Sequence, residues 1–289
     1  ASSPTPRPAD AVRVELVTIG TELMLGLTTD GNAATIGRLL AEQGIRVVRR
    51  ATVDDDGPAI RSAVADALAR TGIVITTGGL GPTRDDVTKK VVAELFDAPL
   101  EFQPPLWDAL VARFAAVGRT PSPANRSQAE VPRGATVLPN RRGTAPGIWL
   151  EGSPGVVVML PGVPREMRGL LRDEVLPRLV ARGGTTAPIR SFTLRSFGLP
   201  ESTLADRLEP HAEALPPLTL AYLPGTDGID LRLTAWGLDA GESEREFARA
   251  GSAIREAVGE HLYATGETSL AEVVLDLLKA RGRMLVLAE

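Results

Sequence analysis

The chain has 289 residues, 43% of them hydrophobic, enough to bury a real core in one large domain or two modest ones. It has no cysteine and only two histidines, His211 and His261, which excludes disulfides and thiolate metal sites and argues against a multi-histidine centre. A formal net charge of -4 supplies no pull toward nucleic acid or an anionic membrane, so the expected partners include neither.

Residues 1–10, rich in Pro and Ser, read as a disordered tail rather than a signal peptide. No apolar run is long enough to span a bilayer, and the expected location is cytoplasmic. Val12 to Ile19 is a short β-branched run bounded by Gly20, which predicts a buried strand. Ile36, Leu39 and Leu40 predict a helix from Asn32 to Gln43, stopped by Gly44. Ile45 to Val53 is a second strand. Ile60, Val64 and Leu68 predict an amphipathic helix from Pro58 to Arg70, with the proline in its first turn. Ile73 to Thr77 is a third strand. This βαβαβ order argues for an α/β fold whose parallel sheet is covered on both faces.

A glycine loop (78–83) follows, then helices over Asp85 to Phe96 and Trp107 to Val117. Pro121 to Gly147 is irregular and too long for a plain connector. Val156 to Leu160 is a buried strand turning at Pro161-Gly162 into a helix from 164 to about 180. Composition changes near 182–186. Beyond it, strands over Ile189 to Phe197, Leu218 to Leu223 and Ile229 to Trp236, with helices over Glu201 to Leu208 and Glu242 to Val258, predict a small α+β domain. Gly225-Thr226-Asp227-Gly228 fits the G-x-x-G of a nucleic-acid clamp, but it joins two strands and carries an acid, so it reads as a hairpin turn. Leu270 to Ala280 is helical and Met284 to Ala288 strand-like, and the pattern stops there in mid-motif.

Three motifs end strands and should share one crevice, where open α/β sheets bind ligands. In Thr77-Gly78-Gly79-Leu80-Gly81-Pro82-Thr83, the glycines let backbone N–H groups of Gly78, Gly79 and Gly81 approach a phosphate. Asp85 and Asp86 follow. They are either N-capping residues of a tight turn or, because two carboxylates beside a phosphate repel unless a cation joins them, metal ligands. Gly20-Thr21-Glu22 ends the first strand and offers a hydroxyl and a carboxylate. Gly162-Val163-Pro164-Arg165-Glu166 ends a later one; Glu166 is either a first-turn acid favoured by the helix dipole or a third carboxylate near the phosphates. Asn140 and Gly143-Thr144-Ala145-Pro146-Gly147 form a polar loop suited to covering a nucleotide. Of Asp54, Asp55 and Asp56, one could face the pocket.

These residues, with Asn32, together resemble the CinA family. The resemblance implies a molybdopterin-binding-like domain of the MoaB/Mog type (11–182), a small KH-like domain (186–265), and, at 266–289, the start of a C-terminal deamidase domain. That domain's Ser-Cys-Thr-Gly-Gly loop lies beyond Glu289, so no nicotinamide mononucleotide deamidation is expected of this chain. It further implies a homodimer and a metal-dependent pyrophosphatase cleaving ADP-ribose to AMP and ribose 5-phosphate. The divalent cation would be Mg²⁺, Mn²⁺ or Co²⁺, held by Asp85, Asp86 and Glu166. Asp86, Asp54 and Glu22 would be catalytic. Gly20, Thr21, Asn32, Thr77, Gly78, Gly79, Gly81, Thr83, Asn140, Thr144, Gly147 and Gly162 would bind the nucleotide. Leu80 stands where the molybdopterin enzymes carry threonine, which counts against the pterin reaction. A molybdopterin-type nucleotidyltransferase or pterin binder and a non-catalytic nucleotide-binding module are the alternatives.

Overall fold

The computed structural model describes residues 12–183 and 187–287, which form two compact units. The expected tail (1–10) and most of the expected boundary near 182–186 lie outside the described residues.

The larger unit runs β1 (Arg13–Ile19), a short helix α1 (Thr21–Met24), α2 (Gly31–Ala41), β2 (Arg46–Val53), α3 (Gly57–Thr71), β3 (Ile73–Thr77), α4 (Thr88–Leu95), β4 (Leu100–Phe102), α5 (Pro104–Ala115), a 3₁₀ helix (Pro123–Ala129), β5 (Glu130–Pro132), β6 (Thr136–Leu138), β7 (Gly147–Gly152), β8 (Gly155–Leu160), α6 (Pro164–Leu170), a π turn (Leu171–Val175) and α7 (Leu176–Gly183). The main sheet has the order β2-β1-β3-β8-β7-β6. Its first four strands are parallel, whereas β7 and β6 add antiparallel. The sheet is therefore mostly parallel rather than wholly so. Gly147 to Gly152 was no strand by pattern. It becomes one because it folds back on β8 through a tight hairpin, Gly152 opposite Gly155.

Period-2 alternation splits the core between the two faces. Ile75 and Val158 pack with Ile36, Leu40, Met167 and Leu170 under α2 and α6. Val74 and Val157 pack with Ile60, Val64, Val91 and Val92 under α3 and α4. Helix starts are set by local chemistry. Asp30 accepts from Ala33 N at 2.8 Å to cap α2, and Asp56 accepts from Ala59 N at 3.0 Å to cap α3. Gly72, at φ +71°, closes α3. In β1, the buried Glu15 carboxylate takes both Arg70 Nε and Nη2 at 2.7 Å.

Four expectations shift. The helix expected from Asp85 starts at Thr88, because a turn closed on Asp86 precedes it. The irregular 121–147 stretch contains the 3₁₀ helix, β5 and β6. The helix from 164 passes through the π turn and continues to Gly183. Met284 to Leu287 forms no strand: its side chains are exposed and no strand pairs with it.

The smaller unit is β9 (Arg190–Ser196), α8 (Glu201–Leu208), β10 (Thr219–Gly225), β11 (Gly228–Ala235), α9 (Ala240–Val258), β12 (Leu262–Thr265) and α10 (Leu270–Ala280). Its antiparallel sheet has the order β10-β11-β9-β12 over a core including Leu194, Leu204, Leu231 and Ile254. The Gly225 to Gly228 segment is the β10–β11 hairpin turn, as its sequence reads. Among the described residues no helix is long and apolar enough to cross a membrane.

Ile75 is fully buried in the central strand, so Ile75→Ala leaves a cavity that neighbouring strands cannot close. The expected loss is about 2–5 kcal/mol of unfolding free energy, read as a lower urea midpoint at unchanged slope.

Candidate active site

β1, β3 and β8 are neighbours in parallel register, with Thr18 opposite Thr77 and Thr77 opposite Leu160. The three motifs that follow these strands therefore open at one edge of the sheet. Between them lies a cleft of about 430 Å³, walled by Gly20, Glu22, Asp55, the 78–82 loop, Asp85, Asp86, Gln128, Thr144 and Glu166 among others.

Gly78 joins the strand ends. At φ +112° its N–H donates to the Leu160 carbonyl at 3.1 Å, and a Cβ there would stand 2.2 Å from the Ile19 carbonyl oxygen. Gly79, at φ +66°, leaves room for Thr88, whose Oγ1 would lie 2.0 Å from any Cβ. Three further glycines each seat a carboxylate. A Cβ on Gly20 would meet Glu22 Oε1 at 2.7 Å, one on Gly81 would meet Asp86 Oδ2 at 2.5 Å, and one on Gly143 would meet Glu166 Cδ at 1.7 Å.

Asp86 closes the loop. Its Oδ1 accepts from Gly81 N at 2.8 Å, and its Oδ2 accepts from Thr83 N at 2.8 Å and Thr83 Oγ1 at 2.5 Å. This turn explains why α4 begins only at Thr88, and why neither aspartate caps it. It also commits donors that were expected to face a phosphate. The Gly78 N–H goes to Leu160 and the Gly81 N–H to Asp86, while among the described residues no acceptor takes up that of Gly79. The Thr83 hydroxyl also lies against Asp85 and, with Asp85's own backbone N–H, holds that carboxyl below the usual carboxylate range.

The three aspartates after β2 divide their work. Asp54 accepts the Thr21 hydroxyl, Asp55 accepts Thr21 N at 2.8 Å and lines the cleft, and Asp56 caps α3. Asp55, not Asp54, thus faces the site, and Thr21 is occupied in holding both acids. Glu166 Oε2 accepts from Asn140 Nδ2 at 2.5 Å, and the same amide donates to Ala145 O at 2.7 Å. Asn140 acts from behind the wall rather than lining the cleft. Thr144 and Gly162 line it. Thr77 is buried, donating to Pro161 O at 3.0 Å, and with Asn32 borders a smaller adjoining pocket of about 200 Å³. Gly147 does not reach the site: it packs between Leu138 and Leu170. Gln128 is a lining residue that the sequence did not flag. It is fixed by Asn125 Nδ2 at 3.0 Å, and Asn125 Oδ1 in turn accepts from Ser122 N at 2.8 Å. That Ser-x-x-Asn spacing is the signal that would have located a helical turn there.

The cleft is lined by five carboxylates (Glu22, Asp55, Asp85, Asp86, Glu166) and by no Lys, Arg or His. Among the described residues, no three acids are grouped as a preformed cage. The donor set fits a hard cation held by one or two carboxylates plus ligand oxygens, the habit of Mg²⁺, and not an all-protein site. Behind the loop Lys89 is 9% exposed, with Nζ donating to the Ser127 carbonyl. Burial, opposed by Glu130 and Asp86, lowers its pKa to about 8.

Residues 15–181 match the family model described as a probable molybdopterin binding domain, and residues 191–264 match that of the damage-inducible protein CinA KH domain. A CinA-like protein of Gemmatimonas aurantiaca is 49% identical over 96% of this chain and 65% of its own length. One from Parasynechococcus marenigrum is 40% identical over 96% and 66%. The chain thus spans about 65% of the length of these curated relatives. The crystal structure of the protein CinA from Thermoplasma acidophilum, described as of unknown function, shares 33% identity and a TM-score of 0.51, covering 57% of this chain and 96% of that one.

Lys89 gives this site a pH signature. Between about pH 8 and 10.5 the unfolded chain still holds the proton that folded Lys89 has released, so stability rises with pH across that window. The melting temperature of wild type minus that of Lys89→Met is expected to climb from pH 8 to 10; a flat difference would show that Lys89 titrates as a solvated lysine.

Proposed function

The chain belongs to the CinA-like family, and on that premise we propose that its larger unit hydrolyses the pyrophosphate bond of ADP-ribose, giving AMP and ribose 5-phosphate. The observation that carries this reading is the charge of the cleft. Five carboxylates and no basic side chain repel a bare phosphate, so a diphosphate enters only together with a cation. A divalent ion bound there would neutralise the diphosphate and make a bound water more acidic.

The chain's own residues hold and orient. Asp85, whose carboxyl the Thr83 hydroxyl and its own backbone N–H hold below the usual range, and Glu166, fixed by Asn140, would hold the cation. Asp86 keeps the loop closed from behind, and of the three glycine N–H groups that of Gly79 is left for a phosphate oxygen. Glu22 and Asp55, on the opposite wall, accept hydrogen bonds from the attacking water. The water oxygen bonds to one phosphorus, the bridging P–O bond breaks, and the water's proton passes to a carboxylate and then to solvent. The family model's own description favours a second reading, a pterin-type binder, which shares the fold.

Incubation with ADP-ribose and Mg²⁺, Mn²⁺ or Co²⁺ is expected to yield AMP by chromatography. Chelation should abolish it, and Glu166→Gln or Asp85→Asn should lower kcat/KM by about 10² or more. Undiminished turnover after chelation, or no AMP with any metal, would overturn the proposal, and retained pterin binding would then favour the second reading.

A further inference from the structure

Glu166 is located by a loop that has no backbone ladder of its own. Residues 139–146 lie in neither helix nor strand, so side chains must satisfy much of their backbone. Two residues of this loop place the carboxylate. Asn140 spends both amide hydrogens, one on Glu166 Oε2 at 2.5 Å and one on Ala145 O at 2.7 Å, and its Oδ1 accepts from Arg142 N at 2.9 Å. Gly143 supplies the seat: a Cβ there would overlap Glu166 Cδ, so the carboxylate rests directly against the backbone.

Both residues are fixed by one side chain from a different element. Arg113, near the end of α5, donates Nη1 to the carbonyls of Asn140 (2.9 Å) and Gly143, and Nη2 to that of Arg141 at 2.8 Å. Carbonyls on either side of the seat are thus bridged by one planar, permanently charged fork. A second tie, Arg142 Nη1 to Asp173 Oδ2 at 2.5 Å, joins side chains 38% and 40% exposed, and an exposed pair of that kind fixes little. Arg113 borders the pocket beside α5 together with Asn140 and Gly143; it does not line the acid cleft.

We propose that Arg113 is a positioning residue for the cation site: by pinning the 140–143 carbonyls it holds the Glu166 carboxylate where a divalent ion meets it. This rests on the reading of Glu166 as a cation ligand and deepens it. Electrostatics gives the proposal a sign. A positive charge near a cation site repels the ion, so if Arg113 acted through its charge alone, removing it would tighten cation binding. A pin acts in the opposite direction. Its loss frees Glu166 and weakens the ion, even where lysine keeps the charge, because an ammonium cannot reproduce the planar fork.

Electron paramagnetic resonance of free Mn²⁺ measures the ion's affinity for wild type, Arg113→Met, Arg113→Lys and Glu166→Gln, and for each Arg113 change combined with Glu166→Gln. Circular dichroism verifies each fold. Arg113→Met and Arg113→Lys are each expected to weaken Mn²⁺ by about tenfold. On the Glu166→Gln background either change should cost no more than about twofold, since the pin then has no ligand to hold. Unchanged or tighter binding in either Arg113 variant, or a full further tenfold loss on the Glu166→Gln background, overturns the proposal. Should Arg113→Met fail to fold, Arg113→Lys decides by the same comparison. A wild type that binds Mn²⁺ but releases no AMP from ADP-ribose sinks the pyrophosphatase reading and leaves the role of Arg113 to the Mn²⁺ affinities. A wild type that binds no Mn²⁺ overturns both.

Discussion

Gly78 is the point on which the site depends. Its N–H reaches the end of β8, and its missing side chain lets the end of β1 come within contact of β3. Any Cβ would collide with backbone, which cannot step aside as a flexible side chain can. Three strand ends are thereby drawn to one edge, and the loops that leave them are obliged to face one another. The motifs at 20–22, 78–86 and 162–166 are far apart in sequence. They become one cleft because three parallel neighbours end at the same level.

The same economy recurs around the cleft. Gly20, Gly81 and Gly143 each give up a side chain so that a carboxylate can lie against the backbone. The result is a wall with its negative charges pre-placed, Asp86 and Glu166 being held by hydrogen bonds rather than by opposite charges. A site of this kind gains little from a neutral ligand and rejects a bare anion. It is matched to an anion carrying its own cation, which is why the electrostatics, more than any single residue, supports phosphoryl chemistry.

Buried charge is handled differently elsewhere in the same unit. Glu15 on β1 is neutralised by a two-pronged contact with Arg70 of α3. Lys89 has no such ion pair within hydrogen-bonding distance; it donates to the Ser127 carbonyl and relies on the more distant Glu130 and Asp86. α4 and the 3₁₀ helix that presents Gln128 are tied together through that lysine.

Local patterns by themselves determined the alternating strands and helices of the larger unit up to Thr77 apart from the short α1, the β10–β11 turn, and the acid-and-glycine character of the motifs. Those features depend on side-chain period, on caps such as Asp56 and on glycines such as Gly72, all of which act within a few residues. Tertiary structure alone decided which donors and acids are free. No local rule distinguishes Asp54 from Asp55, since both follow β2; Thr21, 33 and 34 residues away, does so by engaging the first through its hydroxyl and fixing the second at the cleft. Asp86, by contrast, is settled within its own loop: it reads as a ligand or a cap and instead accepts from Gly81 and Thr83. Lys89 was illegible for the same reason as Asp54 and Asp55: its role is set by Ser127, 38 residues away, and contact between residues distant in sequence leaves no trace in the pattern of either one.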